Sequence, residues 1–243
     1  IGLARSVSRP VLALVGHTQR IARGDYTVRN TTYRADELGR LSEAFDAMAR
    51  GLDERDRVRD LLDKNVSPEI AAQLLRDGAT LGGEERQVTV LFADLRGFTT
   101  LSEQLPAPEL LALLNRYLDR MSTALEAHGG VIDKYIGDAI MALFGAPVAH
   151  GDDADRALAA ALAMQRALVA FNAELAAEGK PPLGIGIGIN TARVVAGNIG
   201  SARRLNYSVI GDGVNVASRL QSLTRTAEYR TNLITSAATL AAL

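Results

Sequence analysis

The run VIDKYIGDAIMALFG, residues 131–145, carries a basic and an acidic side chain four residues apart, Lys134 and Asp138, around a Gly-Asp turn. A second acid, Asp94, closes the apolar run QVTVLFAD. Further on, Asn215 and Arg219 stand at i and i+4 in GDGVNVASRL, on one face of the helix that this run predicts. Two carboxylates drawn to one place repel unless a cation lies between them. An all-oxygen pair with few protein ligands suits Mg²⁺ or Mn²⁺, with substrate phosphates completing the shell. DLRGFTT adds a glycine turn entering a helix, whose free N–H groups can cradle phosphate. Taken singly, Asp94 reads as a cap, Asp138 as a turn residue, and Asn215 and Arg219 as solvated helix polars.

The elements around them decide whether they meet. QVTVLFAD predicts a buried strand, and the segment after it a loop and a long amphipathic helix ending at Gly129-Gly130. Residues 131–145 predict two short strands, and a second helix runs from about Asp153 to Glu178. LGIGIGIN is a strand with Ile185, Ile187 and Ile189 on one face and glycines on the other. Strand, helix, strand, strand, helix, strand is the ferredoxin-like βαββαβ order, an α+β fold. There the first strand pairs with the third, so Asp94 comes beside Asp138 at the hairpin tip. Arg96 is the one basic residue evident next to Asp94.

The 243 residues suffice for one mid-sized core and a smaller module. A net charge of −1 argues against a nucleic-acid partner held on a basic surface, and the lack of cysteine excludes disulfides, cysteine-zinc sites and thiol nucleophiles. No apolar run approaches the ~20 residues of a membrane helix. The chain opens on IGLARSVSRPVLALV, with Arg5, Arg9, Arg20 and Arg23 against Asp25. That opening fits either the cytoplasmic flank of a membrane helix lying further upstream or a plain solvated helix start.

Residues 7–66 carry little besides helix. Pro10 is expected to open the first helix, with Leu14, Thr18 and Ile21 on one face. RGDYTVRN is a connector, and Leu38, Leu41, Phe45, Met48 and Leu52, spaced 3, 4, 3, 4, form a heptad seam that wants a partner helix. After Leu52 the phase breaks, with Arg55 and Arg59 in core positions and Val58, Leu61 and Leu62 resuming the apolar side. The break marks either a point where rotation is relayed or the end of the coil. Ser67 caps, and Pro68 opens, a short helix stopped by Gly78. Pro10, Gly24-Asp25 and DELGRLSEAFDAM resemble a HAMP domain, the signal-relay module of membrane receptors; a plain dimerising coiled coil is the other reading. The expected divisions are 1–53 for HAMP, 54–85 for a transducing linker and 86–243 for the second module.

VTVLFADLRGFT, GGVIDKYIGDAIMALFG, GIGINTARVVAGNIG and NYSVIGDGVNVASRL, in that order, resemble the class III nucleotidyl cyclase catalytic domain. The resemblance implies an adenylate cyclase working as a parallel homodimer on the cytoplasmic face of a membrane, with ATP as substrate. Asp94, Asp138 and the carbonyl of Leu95 would hold two Mg²⁺ or Mn²⁺ ions, and Gly97, Phe98 and Thr99 would wrap the phosphates. Asn215 would orient the ribose and Arg219 would stabilise charge on the α-phosphate, whereas Asp212 is expected only to cap that helix. Arg193 matches a phosphate-binding position and equally reads as a solvated charge. Lys134 and Ser208 would read the base, the lysine donating to adenine N1 and the hydroxyl accepting from the amino group. Metal-binding acids would come from one subunit and base-reading residues from the other. Ser208 departs from the usual Asp or Thr, which leaves a guanylate or dual-specificity cyclase open. No residue matches the phosphate-binding lysine of the family's closing strands. The catalytic part is therefore expected to be C-terminally incomplete and weak in turnover, or to serve as a signalling and dimerisation module.

Overall fold

Helix α1 (Gly2–Ala22) runs through Pro10 instead of starting there. Proline removes one N–H from the ladder, and the rest of the helix carries the turn across the gap. The computed structural model describes residues 2–30, 35–63, 67–77, 81–201 and 204–243, in two compact units, Ile1–Val66 and Ser67–Leu243. In the first unit Asp36 Oδ1 accepts from the Gly39 N–H at 3.1 Å, capping α2 (Glu37–Asp63). The connector is pinned to α2 by a buried pair: Asp46 Oδ1 accepts from the Asn30 N–H at 3.0 Å and from Asn30 Nδ2 at 3.1 Å. Ser42, Asp46 and Ala49 are the buried face of α2. Of the heptad seam, Leu41 and Met48 are each 45% exposed, and Leu38, Phe45 and Leu52 are half-buried. On α1, Leu14 is buried while Val11, Leu12 and Val15 stand out. Arg55 and Val58 are exposed, and the side chains of Arg59, Leu61 and Leu62 lie outside the described residues.

In the second unit Ser67 Oγ accepts from the Ile70 N–H at 3.4 Å ahead of α3 (Pro68–Asp77), while Gly78 lies outside the described residues. Then come β1 (Gly82–Arg96), α4 (Phe98–Gln104), α5 (Ala107–Glu126), β2 (Val131–Ile136), β3 (Ala139–Phe144), α6 (Asp153–Ala177) and β4 (Gly184–Ser201). This is the expected βαββαβ order, with α4 folded from what reads in sequence as loop. Pro106, at the head of α5, separates it from α4. Beyond it lie β5 (Arg204–Ile210), α7 (Asp212–Leu223), β6 (Leu233–Thr235) and α8 (Ala237–Leu240). The sheet order is β2-β3-β1-β4-β5, antiparallel throughout, with β6 parallel to β4.

One face of the sheet carries the core. Leu91, Ala93 and Leu95 of β1, Ile140 and Ala142 of β3, and Ile185, Ile187 and Ile189 of β4 meet Tyr117, Met121 and Leu125 of α5 and Met164, Phe171 and Leu175 of α6. Among the described helices α6 alone is long and apolar enough to cross a membrane, and its buried face packs on the sheet as a core helix. Arg116 and Arg120 lie over the Phe171 ring at 5.2 and 5.3 Å and reach Glu178 and Glu174, fastening α5 to α6.

The other face carries α7, and glycines admit it. A Cβ on Gly188 would stand 2.2 Å from the Gln221 backbone nitrogen and 2.4 Å from the Ala217 carbonyl oxygen. One on Gly186 would stand 2.1 Å from Thr224 Oγ1. The alternation in LGIGIGIN thus buries isoleucine on one side and brings helix backbone onto sheet backbone on the other.

Gly188→Ala is expected to lower stability by about 1–3 kcal/mol, because α7 must lift to admit the methyl group; a urea midpoint equal to wild type would contradict this seating. The Arg116 hydrogen bond, followed by that of Lys180, pulls the Glu178 carboxyl down to about 2. A depressed carboxyl stabilises the fold above its unfolded pKa, near 4.5, and loses that contribution as pH falls toward 2. Glu178→Gln is expected to flatten the acid limb of the thermal midpoint between those values while leaving its shape above pH 6 unchanged.

Candidate active site

Asp94 ends the inner part of β1, and Ala93 pairs with Ile140, so the β2–β3 turn carrying Asp138 comes up beside it. Both residues line the same pocket. Burial, then the neighbouring Asp94, pushes the Asp138 carboxyl up to about 6. They border a cavity of about 350 Å³ whose lining includes Leu95, Gly97, Phe98, Thr99 and Ile136. Gly97 takes φ 72°, in the left-handed region, and turns the chain from β1 directly into α4. The five positions expected to hold metal or phosphate near Asp94 (Leu95, Gly97, Phe98, Thr99 and Asp138) are therefore assembled around it.

The cation beside Asp94 is not Arg96. That guanidinium donates to the carbonyls of Thr224 and Thr231, at 2.7 and 2.8 Å. Arg225, just past α7, makes an ion pair with Asp94 Oδ2 instead. Sequence reasoning missed it, together with Ser218, Gln221 and Ser222, which complete the cavity wall. A signal was present: 218, 221, 222 and 225 follow the i, i+3, i+4, i+7 spacing of one helical stripe. Beneath the site, the phenol of Tyr117 is buried without a hydrogen-bond partner, and burial followed by the charges of Asp94 and Asp138 drives it far above its ordinary range.

A divalent cation fits these residues. Two carboxylates share a half-buried cleft, one of them held protonatable by the other, and the nearest guanidinium already closes on Asp94. Asp94, Asp138 and the Leu95 carbonyl offer hard oxygen donors of the kind Mg²⁺ and Mn²⁺ take. Among the described residues no third His, Cys, Asp or Glu joins them, which leaves ligand positions for substrate oxygens.

The remaining site residues stand outside this cavity. Lys134 Nζ donates to Ser208 Oγ at 2.9 Å, although β2 and β5 lie at opposite ends of the strand order. Strand spacing alone would set those edges about 19 Å apart in a flat sheet, so coiling of the sheet brings them together. Between them sits Asp133, missed in the sequence. Its Oδ2 accepts from Ser208 Oγ at 2.9 Å and pairs with Lys134 Nζ at 2.6 Å. A β-bulge makes this possible: Ile132 faces Ala142 and Lys134 faces Met141, so Asp133 is the extra residue. Asn215 and Arg219 lie on the exposed side of α7. Arg193 is exposed on β4, opposite Gln87, and does not line the cavity. Asp212 is not the cap of α7: Gly211 holds that position with no side-chain bond, and Asp212 places its charge in the first turn.

The family description "Adenylate and Guanylate cyclase catalytic domain" matches residues 83–238, and "HAMP domain" matches residues 2–54. The uncharacterized protein Rv1320c of Mycobacterium tuberculosis is 39% identical over 240 residues, which is 98% of this chain and 40% of the relative. The chain thus spans two fifths of the length of the curated relatives it matches most fully. The guanylyl cyclase Cya2 superposes with a TM-score of 0.61 at 44% identity, over 67% of this chain and 80% of that one. The adenylyl cyclase CyaB from P. aeruginosa does so with 0.62 at 38% identity, over 67% and 82%.

Replacing Asp138 by Asn is expected to raise the thermal midpoint of chelator-treated protein, since it removes one of two facing charges. Added Mn²⁺ should then stabilise wild type and leave the variant unmoved. Equal Mn²⁺ responses would remove Asp138 from the metal-binding set.

Proposed function

The chain belongs to the adenylate and guanylate cyclase family, with a HAMP domain ahead of the catalytic one, and on that basis we propose that it converts ATP to 3′,5′-cyclic AMP and pyrophosphate. Two Mg²⁺ or Mn²⁺ ions on Asp94, Asp138 and the Leu95 carbonyl would supply Lewis-acid activation of the ribose 3′-hydroxyl and neutralise triphosphate charge. The chain's own groups do the remainder. Backbone N–H groups at Gly97, Phe98 and Thr99 receive phosphate oxygens, and Asn215 orients the ribose. Arg219 stabilises charge that grows on the α-phosphate during attack. Lys134 donates to adenine N1, and Ser208 accepts from the exocyclic amino group.

The observation that carries this reading is the division of the residues into two sets. Asp94, Asp138 and the Gly97–Thr99 turn line one cavity, while Lys134, Ser208, Asn215 and Arg219 stand outside it. One subunit therefore offers the metal half of a site and the base and transition-state half of another, which two copies complete. The open seam of Leu41 and Met48, with Val11, Leu12 and Val15, supports a parallel dimer through the HAMP helices. The HAMP domain and the basic residues of α1 support signal transduction from a membrane receptor region to the cytoplasmic face. A second reading, guanylate or dual-specificity cyclase, is favoured by the 44% identity to Cya2.

Mixing two inactive variants, Asp94→Ala and Arg219→Ala, tests the shared site. Mixed dimers contain one intact site, so cyclic AMP formation from ATP and Mn²⁺ should return to about a quarter to a half of wild type, as expected where a closed symmetric dimer holds two equivalent sites. No recovery from verified mixed dimers would refute it, and cyclic GMP formed from GTP at an equal rate would favour the second reading.

A further inference from the structure

Asp133 has no role in the reaction described above, yet its side chain is wholly buried against the two base-reading residues. Its Oδ2 takes both Ser208 Oγ and Lys134 Nζ, and its Oδ1 is buried with no hydrogen-bond partner. A bulge in β2 is spent on putting it there. Burying a carboxylate costs free energy unless it is paired, so a position that keeps one inside the sheet has work for it.

We infer that Asp133 is a positioning residue for base selection: it accepts the hydrogen bond of the Ser208 hydroxyl and thereby fixes Ser208 as an acceptor toward the nucleotide. A serine hydroxyl has one proton and two lone pairs. Here the proton is directed at Asp133 and one lone pair faces Lys134, so a single acceptor lone pair remains. Lys134 has three N–H groups and no acceptor; one goes to Ser208 and one to Asp133, leaving one donor. The pair retains one donor on Lys134, whose side chain is 44% exposed, and one acceptor on Ser208, a residue only 6% exposed, each of fixed sense. Adenine offers the complement, N1 as acceptor and its amino group as donor. Guanine in the same pose meets Lys134 with its N1–H and Ser208 with O6, a donor against a donor and an acceptor against an acceptor. Without Asp133 the hydroxyl can rotate and donate to O6, which relieves one of the two mismatches. The inference rests on the cyclase reading of this site and adds the group that sets its polarity.

Calorimetric binding of 3′-deoxy nucleoside triphosphates, which cannot cyclise, to the full chain with Mn²⁺ tests it without turnover. Wild type is expected to prefer the adenine over the guanine nucleotide by about tenfold or more. It should reject the inosine nucleotide within roughly threefold of the guanine one, since inosine keeps O6 and N1–H without the 2-amino group. Asp133→Val should reduce the adenine preference about tenfold. Asp133→Asn keeps an oxygen where Oδ2 lies and should retain the preference. Unchanged preference in Asp133→Val, lost preference in folded Asp133→Asn, or wild type taking inosine as readily as adenine would each overturn the inference. The inosine result needs no variant to fold. Wild type with no adenine preference, or no nucleotide binding, refutes the adenylate reading itself and the inference with it.

Discussion

The contact between α7 and the glycine face of β4 governs the arrangement of the site. Helix backbone lies on sheet backbone there, close enough that a methyl group at Gly188 has nowhere to go. This fixes the rotation of α7 as well as its distance, because Ala217 and Gln221 are the residues pressed down. With that face set, Ser218, Ser222 and the following Arg225 turn to the carboxylate cavity, and Asn215 and Arg219 turn away from it. The division of labour along a twelve-residue helix follows from which side of it meets the glycines.

Charge is handled in the same local way on both sides of the site. At the cavity two acids are forced together by the pairing of β1 with β3, and the resulting repulsion is what a divalent ion relieves. Arg225 meets part of that demand through Asp94. At the other place the order is reversed: the exposed charge is the cation, Lys134, and a buried acid holds it. At the first place the acids line a cavity, and at the second a half-exposed ammonium is held by a carboxylate that is itself buried.

The first unit follows a different economy. Its buried polar bonds, Asn30 to Asp46 above all, hold the connector on α2, while several of its larger apolar side chains remain uncovered. A helix pair that buries Ser42, Asp46 and Ala49 and exposes Leu41 and Met48 has its apolar surface ready for another copy. That disposition agrees with a module whose work is done between chains.

Legible in the sequence were the βαββαβ order, the HAMP-like seam, the paired acids and the glycine alternation, whereas α4, β5, β6 and α8 were not. Each legible feature is written in period or in local turn chemistry, which neighbouring residues decide. The sequence placed Asp94 beside Asp138 because strand pairing in a βαββαβ unit follows from connectivity. It did not reveal Asp133, since a bulge changes which face a side chain takes and leaves no mark on the alternation VIDKYI. Nor did it connect Lys134 with Ser208, 74 residues on, because only coiling of the whole sheet brings its two edges together. Arg96 and Arg225 show the same limit. Both are cations within reach of Asp94 in sequence or in space, and the packing of α7 decided that the distant one makes the ion pair while the adjacent one holds backbone carbonyls.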